Sequence, residues 1–482
     1  MSTSSVKKNF GWNFVLMISG YLFPLLTYPY ITRVLGAESL GIGNFVLSII
    51  DYAVLFSTFG IASIGYRYIP QCNEDKEKRN HVFCSLVSLH LIMSVVVLVV
   101  YILAVYTLPQ LQEHKYLYIV GATKVLLNVF LVEWLFEGMQ DFRYITIRTI
   151  AIRMAYVIGI FIFIHTSDDY DRYVYITIGQ VVINSIINWK YSKRFVTFSF
   201  RLSGIKEFVF PVISMGINRI LLSFYSTFNV LFLGFACSNL AVGYFTTATK
   251  LYSIFIGLIS AFNGVLVPHI NALIGQGDIE GFKSKVSLSF SLVNVLSIPF
   301  TVVAIIMAPE IIRFVAGEGY ESAILPFQII SIQITLVGMA QVTENQILLS
   351  LKRFKEVLFC TLVSTLFSIG ILLFYAKRYA EVAGALAVAI PHFIECILLL
   401  YYAKRAMNFE YPLRELLITV LVSIPIVFIC FVFKMLCASY LLALSFGVSI
   451  SFIYYFVIQY YLIKNSFIVS QIDSFLKIKR NE

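Results

Sequence analysis

Apolar stretches of about 20 residues, the length an α-helix needs to cross a bilayer, recur from one end of this chain to the other. Fourteen can be placed, beginning near residues 10, 40, 81, 116, 147, 173, 207, 240, 286, 323, 356, 382, 414 and 440. Each is continuously apolar and shows no alternation, which excludes barrel strands, so helices are left as the way to satisfy a backbone in hydrocarbon. An all-α polytopic membrane protein with about fourteen transmembrane helices is expected. Composition points the same way: 59% of the 482 residues are hydrophobic and 13% charged, against roughly 45–50% and 25% in a globular domain. That excludes a soluble enzyme, a disordered chain and a coiled coil. The first run is too long for the apolar part of a signal peptide and is read as the first helix.

The net charge of +10 would suggest nucleic acid in a soluble protein, but here the placement of the basic residues matters more. With fourteen helices, lysines and arginines in alternate connections divide 25 to 7. The richer side holds Lys7 and Lys8, the 66–80 and 190–206 loops and the basic tail, which predicts both termini in the cytoplasm. No loop exceeds about 20 residues, so function must lie between the helices. The seven cysteines form no C-x-x-C pair, and the histidines have no zinc spacing. No metal, cofactor or nucleic-acid partner is expected. Neither a P-loop nor a G-x-S-x-G elbow occurs, which leaves no ATPase of that kind and no enzyme of the hydrolase type.

A repeat at an offset near 200 residues organises the chain further. Leu40-x-x-Gly43-x-Phe45 recurs as Leu240-x-x-Gly243-x-Phe245, and Gly138-x-x-x-Phe142-Arg143 as Ser350-x-x-x-Phe354-Lys355. Six helices separate the copies, an even number, so the halves run the same way as parallel repeats. Three regions follow: 1–206 with helices 1–6, 207–408 with helices 7–12, and 409–482 with helices 13 and 14 and a basic tail. In the tail, Phe467, Ile468, Ile472, Phe475 and Leu476 among basic residues suit an interfacial helix or a solvated end.

Pro29-Tyr30-Ile31-Thr32-Arg33-Val34-Leu35-Gly36, followed by Leu40-Gly41-x-Gly43-x-Phe45, resembles the opening of the Wzx-type O-antigen and exopolysaccharide flippases, and Glu137-Gly138-x-x-x-Phe142-Arg143 resembles the same family. That family belongs to the superfamily of MATE multidrug exporters and the lipid II flippase. The resemblance implies two six-helix lobes around a central cavity. It also implies transport of an undecaprenyl-diphosphate-linked oligosaccharide from the inner to the outer leaflet. A glycan polymerase and a chain-length regulator are the implied partners besides membrane lipids.

Ionisable residues deep in a bilayer are costly and usually line an interior. Arg219 and Lys250 lie about 12 and 10 residues into helices 7 and 8, roughly 15–18 Å deep. Helix 7 presents Gly216, Arg219, Ser223 and Ser226 on one face, and helix 8 presents Gly243, Thr247, Lys250 and Ser253. Such faces suit close packing or a wet wall; the cations favour the wall. Arg219 and Lys250, with Lys124 nearer the edge as a third, are the expected cavity cations for a lipid diphosphate, and Ser223, Ser226, Thr247 and Ser253 the polar lining. Asp51 in helix 2 falls beside Lys250 in the repeat and either titrates or forms a static pair. Asp51 and Glu395, the latter in helix 12, are the candidates for coupling to H+ or Na+. Arg153, Glu133 and Glu344 sit close enough to the cytoplasmic edge to be solvated there. A drug-cation exporter of the same superfamily, or a membrane polymerase or acyltransferase, is the rival reading.

Overall fold

The computed structural model describes residues 3–72, 75–202, 204–224, 227–407 and 411–463. They form helices with no strand among them. The expected interfacial segment at 466–480 lies outside the described residues, as does Ser226.

The chain separates into two compact units, residues 1–246 with 376–380, and residues 247–375 with 381–482. In the first unit the elements are α1 (Thr3–Thr58), α2 (Ile61–Tyr68), α3 (Lys76–Thr107), α4 (Pro109–Gln112), α5 (Lys115–Leu127), α6 (Glu133–Gly138), α7 (Phe142–Phe163), α8 (Tyr170–Ser192), α9 (Ile205–Ser223) and α10 (Thr227–Ala236). α11 (Asn239–Gly275) starts in this unit and continues into the second. The second unit then holds α12 (Ile279–Ile306), α13 (Ala308–Val315), α14 (Ile324–Ser331), α15 (Gln333–Gln341), α16 (Phe354–Met407), α17 (Leu413–Leu436) and α18 (Tyr440–Ile458).

Among the described residues nine helices are long and apolar enough to cross a membrane, judged by length and composition. Two of them hold two crossings each. α1 breaks at Gly36, whose φ of 71° is a left-handed conformation open to glycine at little cost, and α16 breaks at Ala380 with φ 40°. The pair α9 and α10, bent by 56°, passes the same length and composition test when taken together. α8 and α11, at 23 and 37 residues, also have the length to cross. The crossings therefore come to about fourteen and begin where the hydropathy runs begin.

In lipid no hydrophobic force sorts one helix against another, and close van der Waals fit with interhelical hydrogen bonds takes over. The repeated motifs supply that fit in the first unit. A Cβ on Gly41 would lie 1.8 Å from the Asn239 carbonyl oxygen, and one on Gly243 would lie 1.9 Å from that of Ala37. The openings of the two repeats thus pack backbone to backbone. Asn44 Nδ2 donates to Thr246 Oγ1 at 2.8 Å across the same contact.

In the second unit α17 and α18 dock on α12, with Val295, Val303, Met307, Ile426, Cys430 and Tyr455 as their shared core. Tyr455 Oη donates to the Val295 carbonyl at 2.8 Å, and Lys434 pairs with Glu310 at 2.8 Å.

The 3-10 turn Ser167–Asp169, just before α8, illustrates capping at the membrane edge. Asp169 Oδ2 accepts from the backbone N–H groups of His165 (2.8 Å) and Thr166 (2.9 Å), and Arg172 pairs with the carboxylate at 2.7 Å. These bonds, the His165 one first, hold the Asp169 carboxyl below its ordinary range. A depressed acid contributes stability that is complete above the unfolded value, about pH 4, and is lost as pH falls through the lowered folded value. Asp169→Asn removes the charged acceptor of these bonds and should lower stability at neutral pH and flatten that part of the acid limb. Thermal unfolding of both proteins between pH 2 and 7 checks it; parallel curves would contradict the account.

Candidate functional site

A cavity of about 740 Å³ opens inside the first unit, walled by the second half of α1, α2, α3, the α5–α6 junction and the α9–α10 pair. Its shape depends on a break that hydropathy does not show. α5 ends at Leu127, a 3-10 turn covers Asn128–Phe130, and Leu131 and Val132 leave helical geometry with ψ of 69° and 45° before α6 begins. Irregular backbone at membrane depth is tolerated where it lines a polar cavity. Here Asn128 Nδ2 donates to Thr58 Oγ1 at 2.8 Å, and the break carries Glu133 and Glu137 on one turn of α6 to the cavity.

Two of the four charges on this wall, Asp51 and Glu133, are paired. Asp51 faces the cavity with its side chain 48% exposed, and buried Lys124 holds it from behind, Nζ to Oδ1 2.6 Å. Glu133 does the same with Arg148 of α7, whose side chain is 4% exposed and which also donates to Asn188. Asn184 Nδ2 lies 3.5 Å from the same Glu133 oxygen. Arg219 is different: it is exposed on the cavity wall and has no ion pair or hydrogen bond among the described residues. Ser223, one turn on, shares a 2.9 Å hydrogen bond with Tyr52. His90 is buried on α3 beside the cavity, and its Nε2 has no hydrogen-bond partner among the described residues. The wall therefore offers one uncommitted guanidinium, the Asn128 amide and hydroxyls beside three carboxylates, two of which already hold protein cations. That set suits an anionic, hydroxyl-rich ligand.

Of the expected site residues, Asp51, Arg219 and Ser223 line this cavity, and Lys124 lies behind it as the partner of Asp51. Thr247, Lys250 and Ser253 belong to the second unit. There Thr247 is buried, while Lys250 and Ser253 are exposed on α11, with Ser253 Oγ donating to the Lys250 carbonyl at 2.6 Å. Glu395, also in the second unit, is 9% exposed and accepts from Thr361 Oγ1 at 3.1 Å. Glu133 differs from the expectation of edge solvation, because a buried arginine from another helix meets it. Arg153 likewise turns inward and donates to the Leu16 carbonyl at 3.0 Å and to Ser19. Sequence reasoning passed over Glu133, Glu137, Asn128 and His90 as site residues. The available signal was Glu133 and Glu137 one turn apart just after an asparagine; the partner that settles Glu133 comes from a different helix. Among the described residues no three His, Cys, Asp or Glu side chains group as metal ligands.

Comparison with known proteins adds the family. The profile described as "Polysaccharide biosynthesis protein" matches residues 6–273, more than half of the chain and all of the cavity wall. The chain belongs to the polysaccharide biosynthesis protein family. A relative from Escherichia coli K12, named as a candidate O-antigen transporter, is 22% identical over 406 residues, covering 83% of this chain and 97% of that one. A Shigella dysenteriae protein of the same name is 22% identical over 320 residues, 65% of this chain and 79% of that one. Among solved structures, the lipid II flippase MurJ in an inward closed conformation superposes with a TM-score of 0.79 at 14% identity, covering 94% of this chain and 100% of that one. An inward-facing MATE multidrug resistance transporter gives 0.62 at 15% identity over 80% of this chain and 94% of that one. At such identities the likeness establishes the shared fold. This family member is a multi-pass membrane protein whose named relatives are transporters.

Proposed function

We propose that the chain is a flippase for undecaprenyl-diphosphate-linked oligosaccharide repeat units, carrying them from the inner to the outer leaflet of a bacterial cytoplasmic membrane. The observation that carries this reading is the uncommitted Arg219 on the wall of a polar cavity of about 740 Å³, because a diphosphate in a low-dielectric site needs a cation not already spent on a protein carboxylate. Lys250 and Lys124 are the further cations of the path, Lys124 once released from Asp51. The hydroxyls of Ser223, Ser226, Thr247 and Ser253 meet the sugars.

The six-helix lobes, 1–206 and 207–408, alternate access to the two faces, with 409–482 as an added pair of helices and both termini cytoplasmic. A proton or sodium ion drives the cycle by competing with Lys124 for Asp51, and Glu395 is the second carboxylate that can take part. A glycan polymerase and a chain-length regulator would act on the delivered unit. The acidic residues on the cavity wall favour one alternative, a cation exporter of the MATE kind. Against it, two of the three carboxylates there already hold a protein cation.

The leaflet distribution of polyprenyl-diphosphate-linked glycan in cells lacking the chain separates the two readings. Complete repeat units should accumulate on the cytoplasmic leaflet and surface polymer should be lost, and restoring the chain with Asp51→Asn should return export that no longer follows the ion gradient. Unchanged carrier lipids together with new sensitivity to cationic drugs would refute the flippase and support the exporter.

A further inference from the structure

A second cavity, about 960 Å³, runs along the outer face of the antiparallel pair α7 and α8 in the first unit. At one end the Tyr144 and Tyr191 rings stack at 3.5 Å between centroids; at the other a Cβ on Gly159 would lie 3.5 Å from Ile176. Between them the walls are apolar, built from Ile147, Ala151 and Ala155 of α7 and Gly179, Ile183 and Ile187 of α8. Ile147 and Ile183 are 51% and 50% exposed, so the groove opens outward from the helix pair towards lipid. A Cβ on Gly179 would meet nothing within 4 Å.

One end carries charge. Arg143 lines it, is exposed, and has no ion pair among the described residues. Lys190, Lys193 and Arg194 flank Tyr191 at the end of α8, with the Arg194 guanidinium 4.9 Å from the Tyr191 ring. The carboxylate at this end, Asp141, already accepts from Tyr191 Oη at 2.7 Å and from the Tyr144 N–H at 3.3 Å. The mouth is therefore positive and the trough apolar. Arg148 lines the groove and pairs with Glu133, which lines the polar cavity, so this ion pair links the walls of the two spaces.

Length selects the occupant. From Arg143 to Gly159 the helix rises about 24 Å, whereas a chain confined to one leaflet spans about 15 Å, half of the hydrocarbon core. An acyl chain of an ordinary phospholipid would leave the far end of the groove empty. We propose that the α7–α8 groove docks the polyprenyl chain of a lipid-linked diphosphate, with the phosphates on Arg143 and the basic end of α8. The groove thus keeps the tail in the bilayer beside the cavity that receives the glycan. This inference rests on the flippase reading of the chain.

Photolabelling of the full chain in nanodiscs tests it, using a polyprenyl diphosphate with a diazirine in its chain and, in parallel, a diazirine phosphatidylglycerol. The polyprenyl probe should label α7 and α8. Gly179→Leu, which adds a side chain into open groove space, should cut that labelling at least five-fold, and Arg143→Gln should cut it several-fold. Gly179→Ala and an unchanged melting temperature serve as the folding control. Equal labelling by phosphatidylglycerol, or undiminished labelling of a folded Gly179→Leu protein, would overturn the proposal. If carrier-linked glycan still crosses in wild-type cells while the groove shows no selective label, the groove alone is wrong; if it never depended on this chain, the flippase reading is what fails.

Discussion

Arg219→Ala should lower the initial rate of lipid-linked glycan transport in proteoliposomes by about 10- to 100-fold at low substrate. A hydrogen bond between a guanidinium and a phosphate oxygen contributes about 1.5–3 kcal/mol, and each 1.4 kcal/mol is about a factor of ten in affinity. The upper part of that range applies because the cavity wall offers no replacement: Lys124 is held by Asp51 and Arg148 by Glu133. Protein abundance should hold, since Arg219 is exposed and makes no ion pair among the described residues whose loss would strand a partner. Arg219→Lys keeps the charge but not the two-pronged geometry, and should fall between the two. Normal transport by a well-expressed Arg219→Ala protein would remove Arg219 from the substrate path.

Arg148→Met should act on the fold itself. Its side chain is almost wholly enclosed while holding Glu133 and Asn188 at once, and Asn188 is fully buried. Removing one member of a buried ion pair typically costs about 3–5 kcal/mol, because the charge left behind has lost its partner without regaining water. Glu133 keeps partial access to the cavity, its side chain being 35% exposed, so the lower end, about 3 kcal/mol, is expected. Unfolding in detergent, followed by tryptophan fluorescence or by protease resistance, should show this as a large fall in midpoint and in folded yield. Adding Glu133→Gln to Arg148→Met removes the stranded charge and should recover a substantial part. A single variant as stable as wild type would mean that the pair is cosmetic.

These two arginines show how differently the sequence spoke of each. Arg219 was legible as a site residue because depth and a polar helical face are properties of one segment, readable from spacing alone. Arg148 carries no such signal, since its burial depends on Glu133 and Asn188, which reach it from α6 and α8. Asp51 was picked out as a deep carboxylate beside the repeat position of Lys250, and its actual partner, Lys124, comes from α5. The groove on α7 and α8 had no signature, because isoleucines facing a trough look the same as isoleucines facing lipid.

By itself the sequence determined the membrane-spanning helices, their number and the repeat. Each follows from a local requirement: hydrocarbon forces a backbone to bond within its own segment, so the length and polarity of a run decide whether it crosses. Tertiary structure alone decided which charges meet, where α5 breaks to admit Glu133, and that Gly41 and Gly243 lie in one backbone contact. Lipid is as apolar as the side chains it touches and gives no preference for one helix neighbour over another. The choice falls to close fit and to pairing between polar groups distant in sequence, and those exist only once the helices are side by side.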